Sequence, residues 1–179
     1  VLVGTGTLTG GGAVLSDAAG LATFSALSVN LVGSKQLTAA SGVLPTVTSA
    51  AFTVSPGAAS ALSFAAGPSN VVAGVAITPA VQVKVSDAFG NGVPAKSVSL
   101  VLVGTGTLTG GGAVVSDAAG LAKFSGASVN LAGSKQLIAS SGVLPTATSA
   151  AFTVSPGAAA ALTFVVGPSN VVAGVAITP

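Results

Sequence analysis

The 179-residue sequence has no cysteine, histidine, methionine, tryptophan or tyrosine, and neither glutamate nor arginine. Without cysteine there are no disulfides and no thiolate metal sites. Without histidine, cysteine, glutamate and arginine no nucleophile–base pair can be assembled, so the segment reads as non-enzymatic, with no catalytic residue, cofactor or metal ligand assigned. Charge is almost as scarce: Lys35, Lys84, Lys96, Lys123 and Lys135 stand against Asp17, Asp87 and Asp117, whereas an ordinary soluble domain is about a quarter charged. A net charge of +2 is too weak for nucleic acid, which calls for clustered Lys and Arg and, on single strands, for aromatic stacking platforms. Disorder is argued against too, because disordered chains are polar and charge-rich and half of these residues are hydrophobic.

Long uninterrupted apolar runs are also missing. No charge falls between Lys35 and Lys84, yet Gly42, Pro45, Pro56, Gly57, Gly67 and Pro68 break that stretch. A membrane-spanning helix wants about 20 continuous apolar residues. An outer-membrane barrel carries aromatic girdles, which seven scattered Phe do not supply. No membrane insertion is expected in this segment.

What is present is a repeat. Residues 1–79 recur as residues 101–179 without insertion or deletion and with 12 substitutions. A period of about 20–50 residues would indicate a solenoid; a period of 100 is the size of an independent domain with its own core. Most substitutions exchange small or apolar residues, and Thr23 for Lys123 is the only one that alters charge. The trios Ser55-Pro56-Gly57 and Ser155-Pro156-Gly157 end strands and form short hinges. The division expected is therefore 1–57 as the later part of one copy, 58–157 as a complete copy, and 158–179 as the start of the next. With no initiator Met and a start inside a copy, the chain reads as an excerpt of a longer array.

Within the complete copy the hydrophobic period is two. Val81, Val83 and Val85 alternate with Gln82, Lys84 and Ser86, and Val98, Leu100 and Leu102 alternate with serines, as in half-buried strands. Asp87-Ala88-Phe89-Gly90-Asn91-Gly92 and Asp117-Ala118-Ala119-Gly120 supply turn chemistry. Gly104 to Gly112 reads as an edge strand with a bulge or an Ω-like loop. Leu121 to Val129 forms a strand anchored by Phe124, Lys135 shares a face with Leu137 and Ala139, and a last strand opening at Pro145 turns Phe152 and Val154 inward. No segment offers an amphipathic helix. Seven or eight short antiparallel strands per 100 residues, with frequent turns, predict an all-β, immunoglobulin-like sandwich for each copy.

A family resemblance joins this pattern. Pro68-Ser69-Asn70, Val72-Ala73-Gly74, the strand at 81–85, Asp87-Ala88-Phe89-Gly90-Asn91, Gly106-Thr107-Leu108, Asp117 with Gly120-Leu121-Ala122-x-Phe124, and Ala151-Phe152-Thr153-Val154 resemble the bacterial Ig-like repeats of invasin and intimin type. The resemblance spans the whole copy. It implies an extracellular β-sandwich rod on the bacterial cell surface, acting as a stalk, an adhesin shaft or a filament. The chain departs from that pattern in its surface, which carries less Asp, Glu, Asn and Lys than such domains do.

The residues singled out are the turn and hinge positions Pro56, Gly57, Asp87, Gly90, Asn91, Asp117, Gly120, Pro156 and Gly157. Calcium wants six to eight oxygens, so one aspartate per loop favours a turn role for Asp87, bonding the amides ahead of it. A Lys–Asn isopeptide crosslink would draw on Lys84, Lys123 or Lys135 with Asn91 or Asn130, but its only carboxylic helpers, Asp87 and Asp117, sit in turns. The row Thr105, Thr107, Thr109 lacks the many ranks of an ice-binding face and reads as polar strand filling. Gly104-x-Gly106 and Gly110-Gly111-Gly112 have no following helix or Lys-Ser/Thr pair, so no phosphate loop is expected. Outward positions rich in Ala, Val, Ser and Thr point to self-association between identical chains or neighbouring copies. The reading is a structural filament, fibre or sheath; the alternative is an adhesin stalk that projects a terminal binding domain.

Overall fold

The computed structural model describes residues 1–178; Pro179, the last residue of the third span, lies outside the described residues. The described chain is all-β, without a helix. Residues 1–57 hold β1 (Leu2–Val3), β2 (Leu8–Thr9), β3 (Ser28–Val29), β4 (Gly33–Ala39), β5 (Val47–Thr48) and β6 (Phe52–Val54). Residues 58–157 hold β7 (Ala61–Ala66), β8 (Val71–Val72), β9 (Val81–Ser86), β10 (Ser97–Val103), β11 (Leu108–Thr109) and β12 (Val114–Val115). They continue with β13 (Leu121–Phe124), β14 (Ser128–Val129), β15 (Gly133–Ser140), β16 (Ala147–Thr148) and β17 (Phe152–Ser155).

Alternation decides which face each strand buries. On β9, Val81, Val83 and Val85 are buried while their neighbours are half-exposed. β9 is the middle of a sheet ordered β13-β9-β7, and a second sheet runs β12-β10-β15-β17-β8 with β16 also against β15. The buried residues of both sheets, among them Val98, Leu100, Leu137, Ala139, Phe152 and Val154, form one hydrophobic cluster with Val83, Ala122 and Phe124. Two sheets meeting across one apolar layer is an arrangement consistent with a β-sandwich. Among the described residues, every buried hydrophobic residue falls between Ile77 and Val154.

The strand count differs from the seven or eight expected: residues 58–157 form eleven hydrogen-bonded segments. Local chemistry splits the longer strands. The expected strand from Leu121 to Val129 is interrupted at Gly126, whose φ is 89°. The last strand is interrupted at Ser149, whose Oγ accepts the Leu137 amide at 2.9 Å and donates to the Ala150 carbonyl at 2.8 Å. In the Gly/Thr-rich stretch, positive φ at Gly104, Gly106 and Gly110 leaves only β11 to pair, with β14. The pairing is also not wholly antiparallel, because β8 lies parallel to β17. The chain from Val71 to Ile77 crosses there between Ser155 and Ala127, and the amides of Ala73, Gly74 and Ile77 donate to Ser155, Val129 and Ala127 carbonyls.

Residues 1–57 repeat part of this ladder in the same register. Leu2 faces Leu37 as Leu102 faces Leu137, and Gly33 faces Val54 as Gly133 faces Val154. Residues 158–178 form no strand.

Candidate functional site

Two buried polar side chains, Asp87 and Asn91, lie where residues 1–57 meet residues 58–157. After β9, the chain turns at Asp87. Its Oδ1 accepts the amides of Phe89 and Asn91, each at 2.9 Å, which closes the turn predicted from Asp, Asn and Gly. Gly90 has φ 83°, a conformation glycine adopts without strain. Lys84 donates from Nζ to the Gly90 carbonyl at 2.9 Å, fixing the outer edge of the turn.

The other carboxylate oxygen leaves the turn. Asp87 Oδ2 accepts the amide of Gly57, in the Ser-Pro-Gly hinge, at 2.9 Å. It also accepts Asn91 Nδ2 at 2.9 Å, and the same Nδ2 donates at 2.9 Å to the main-chain carbonyl of Asn30. Asn91 Oδ1 accepts the amide of Val32 at 3.2 Å. Asp87 and Asn91 are both buried, and together they clamp the hinge and the Asn30–Val32 loop onto the turn. Burial works against the charged form of Asp87. The Asn91 carboxamide and the amides of Gly57, Phe89 and Asn91 outweigh it and hold the carboxyl at about 2, below its ordinary 3.8.

The loop that receives the clamp is built from within its own span. Asn30 Oδ1 accepts the Thr7 amide at 2.7 Å. Lys35, buried in β4, donates from Nζ to Thr5 Oγ1 at 3.1 Å and to the Val32 carbonyl at 3.0 Å. Gly6, at φ 106°, holds a backbone that favours glycine, and a Cβ there would press on Asn30 Oδ1 at 3.0 Å. On the other side of the clamp, Gly92 packs against the Ala119 carbonyl. Gly120, at φ 77°, packs against Gly92 and Val93, so the two predicted turns are stacked. Beside the clamp lies an open, mainly apolar groove of about 530 Å³, lined by Val32, Pro56, Gly92, Pro94, Val115 and Ala119 among others.

Of the nine turn and hinge residues predicted from sequence, the structure brings Gly57, Asp87, Gly90 and Asn91 into one cluster. Pro56 and Asp117 line the groove beside it, and Gly120 supports it from behind. Pro156 and Gly157 stand apart, exposed. Asp117 Oδ1 accepts the amides of Ala119 and Leu121 at 2.8 and 2.9 Å, making the same turn as Asp87 without a long-range partner. The Asn30–Val32 loop was not singled out from sequence. The signal lay in the fifth position of the two turns, where Asn91 carries a carboxamide and Leu121 does not.

Of the lysines considered for a crosslink, Lys84 donates to the Gly90 carbonyl and Lys135 to other groups than asparagine. Lys135 is buried, but its Nζ donates to Thr105 Oγ1 at 3.0 Å and the Ala132 carbonyl at 3.3 Å. The Asn130 side chain accepts the Thr107 amide at 2.7 Å, and Asn91 serves the clamp. Thr105 is thereby a lysine acceptor rather than strand filling, and of the three threonines only Thr109 lies in a strand. Among the described residues no three of His, Cys, Asp and Glu gather as a metal-holding group, and no helix is long and apolar enough to cross a membrane. No protein-family model and no curated protein matches the chain.

Proposed function

We propose that this chain is part of a non-enzymatic structural protein in which immunoglobulin-like copies follow one another to build an extracellular bacterial filament, fibre or sheath. The observation that carries the reading is the buried clamp. Asp87 and Asn91 tie the hinge and the preceding loop to the turn by three hydrogen bonds, to Gly57, Asn30 and Val32, and a fourth joins the two side chains. A hinge so held does not behave as a flexible linker, and it passes load and orientation from one copy to the next. The sparse charge supports lateral packing, as do Val101 and Val115, each more than half exposed on the complete copy.

The stalk of a cell-surface adhesin is the second reading. It draws on the same stiff junction and needs no packing between chains. Electron microscopy and light scattering of the purified chain over a concentration series separate the two. The filament reading expects ordered multi-chain fibres that grow with concentration, and a chain that stays monomeric at high concentration defeats it. The stalk reading expects single beaded strings throughout.

A further inference from the structure

The same loop occurs twice in this chain, once covered and once open. Asn30, Leu31 and Val32 are half-buried under the clamp. Asn130, Leu131 and Ala132 are exposed; Gly57 and Gly157 are both exposed and differ in that only the Gly57 amide is engaged. Among the described residues no hydrogen bond reaches the Asn130 carbonyl, the Ala132 amide or the Gly157 amide, the groups whose counterparts at Asn30, Val32 and Gly57 are all engaged.

The open loop is nevertheless built like the covered one. The Thr107 amide holds Asn130 Oδ1 at 2.7 Å, as Thr7 holds Asn30. Lys135 reaches Thr105 and the Ala132 carbonyl as Lys35 reaches Thr5 and Val32. A Cβ on Gly106 would sit 2.9 Å from Asn130 Oδ1, so that packing is kept too. The substitution inside the loop, Ala132 for Val32, changes a side chain and leaves the amide that bonds.

We infer that Asn130, Ala132 and Gly157 form a preformed socket for the Asp-x-x-x-Asn turn of a following copy of this unit. The occupant is defined by its chemistry: a carboxylate for the Gly157 amide, and four residues later a carboxamide that both donates to Asn130 and accepts from Ala132. In this chain only Asp87 and Asn91 have that spacing, since Asp17 and Asp117 are followed by Leu21 and Leu121. Turn and socket lie on different parts of the unit, so the contact is heterologous and runs in one direction from copy to copy. The inference deepens the serial arrangement proposed above and rests on it for the order of the copies.

The test is hydrogen exchange on the full chain and on the full chain extended after Pro179 by a further copy of residues 80–157. In the unextended chain, the Gly157 and Ala132 amides should exchange at least about 100-fold faster than those of Gly57 and Val32. In the extended chain they should slow to match, and replacing the added turn's Asp and Asn by Ala should release them. Two results overturn the socket: equal protection of both pairs in the unextended chain, or fast exchange at Gly157 and Ala132 beside a protected added copy. The first comparison stands even if the added copy does not fold. Fibres formed with the socket open would fail this inference alone, whereas a filled socket without fibres would fail the filament reading alone.

Discussion

Residues 1–57 and residues 101–157 are nearly the same sequence in two surroundings, and they differ most in what is buried. Phe124 is 1% exposed and Phe24 is 40% exposed; Phe152 is 2% exposed and Phe52 is 37% exposed. Leu121–Phe124 is a strand against β9, whereas Leu21–Phe24 pairs with nothing. Yet β4 keeps the register of β15 with its neighbours. Pairing among these later strands is therefore encoded within them, while a buried core forms where residues 61–100 lie beside them. Residues 161–166 teach the converse. Their counterpart Ala61–Ala66 is a strand because β9 is beside it, and alone the same pattern leaves Phe164 88% exposed.

The largest test of that contrast is Phe124→Ala, which removes a ring from the single core cluster and should destabilise by about 3–5 kcal/mol. Phe24→Ala should fall within about 1 kcal/mol, and denaturant titration of the two variants would measure the gap. Equal losses would mean that residues 1–57 share the core.

Glycine offers a second paired substitution. A Cβ on Gly120 would meet the Val85 carbonyl oxygen at 2.5 Å and the Val93 nitrogen at 2.6 Å, whereas one on Gly20 would meet nothing within 4 Å, although both have φ 77°. Gly20→Ala should therefore show only the left-handed backbone penalty, about 1–2 kcal/mol. Gly120→Ala adds a collision between two turns and should roughly double that loss, read as a larger drop in thermal midpoint.

Asp87 and Asp117 compare one turn with and without a distant partner. Asp87→Ala strands the Gly57, Phe89 and Asn91 donors and should cost about 2–3 kcal/mol, against less than about 1 for Asp117→Ala. Faster exchange of the Gly57 amide in Asp87→Ala alone would tie the difference to the hinge. Unchanged exchange there would dissociate the turn from it.

The smallest effect is in pH. Because the folded-state value of Asp87 lies below its ordinary one, its charge stabilises the fold in full above 3.8 and loses that contribution as pH falls toward about 2. Acid titration should show stability declining through that window, with a shallower decline in Asp87→Asn. Identical curves would remove Asp87 from the acid response.

Much of the strand pattern was legible because alternation in Val81–Val85 and in Lys135, Leu137 and Ala139 reports directly which face is buried. Phe124, Phe152 and Val154 were likewise readable as core. The break at Ser149 was not, since a hydroxyl's replacement of a ladder bond depends on what lies opposite, and the break at Gly126 was not, since glycine takes extended and left-handed backbone alike. The parallel β8–β17 pair was hidden because the paired residues are 83 positions apart and each strand offers only two of them. The clamp was half legible. The turn at Asp87 follows from its composition, but its second carboxylate oxygen acts on a main-chain amide 30 residues earlier, and an amide leaves no mark in a sequence.

The chemistry of this joint bears on inheritance. The receiving side of the junction offers backbone groups at Asn30, Val32 and Gly57, and the donating side requires only one aspartate and one asparagine. Loss or gain of a whole 100-residue period by slippage between near-identical coding stretches would therefore recreate the same junction at the new seam. Length can drift in whole copies while the joint between them stays chemically constant.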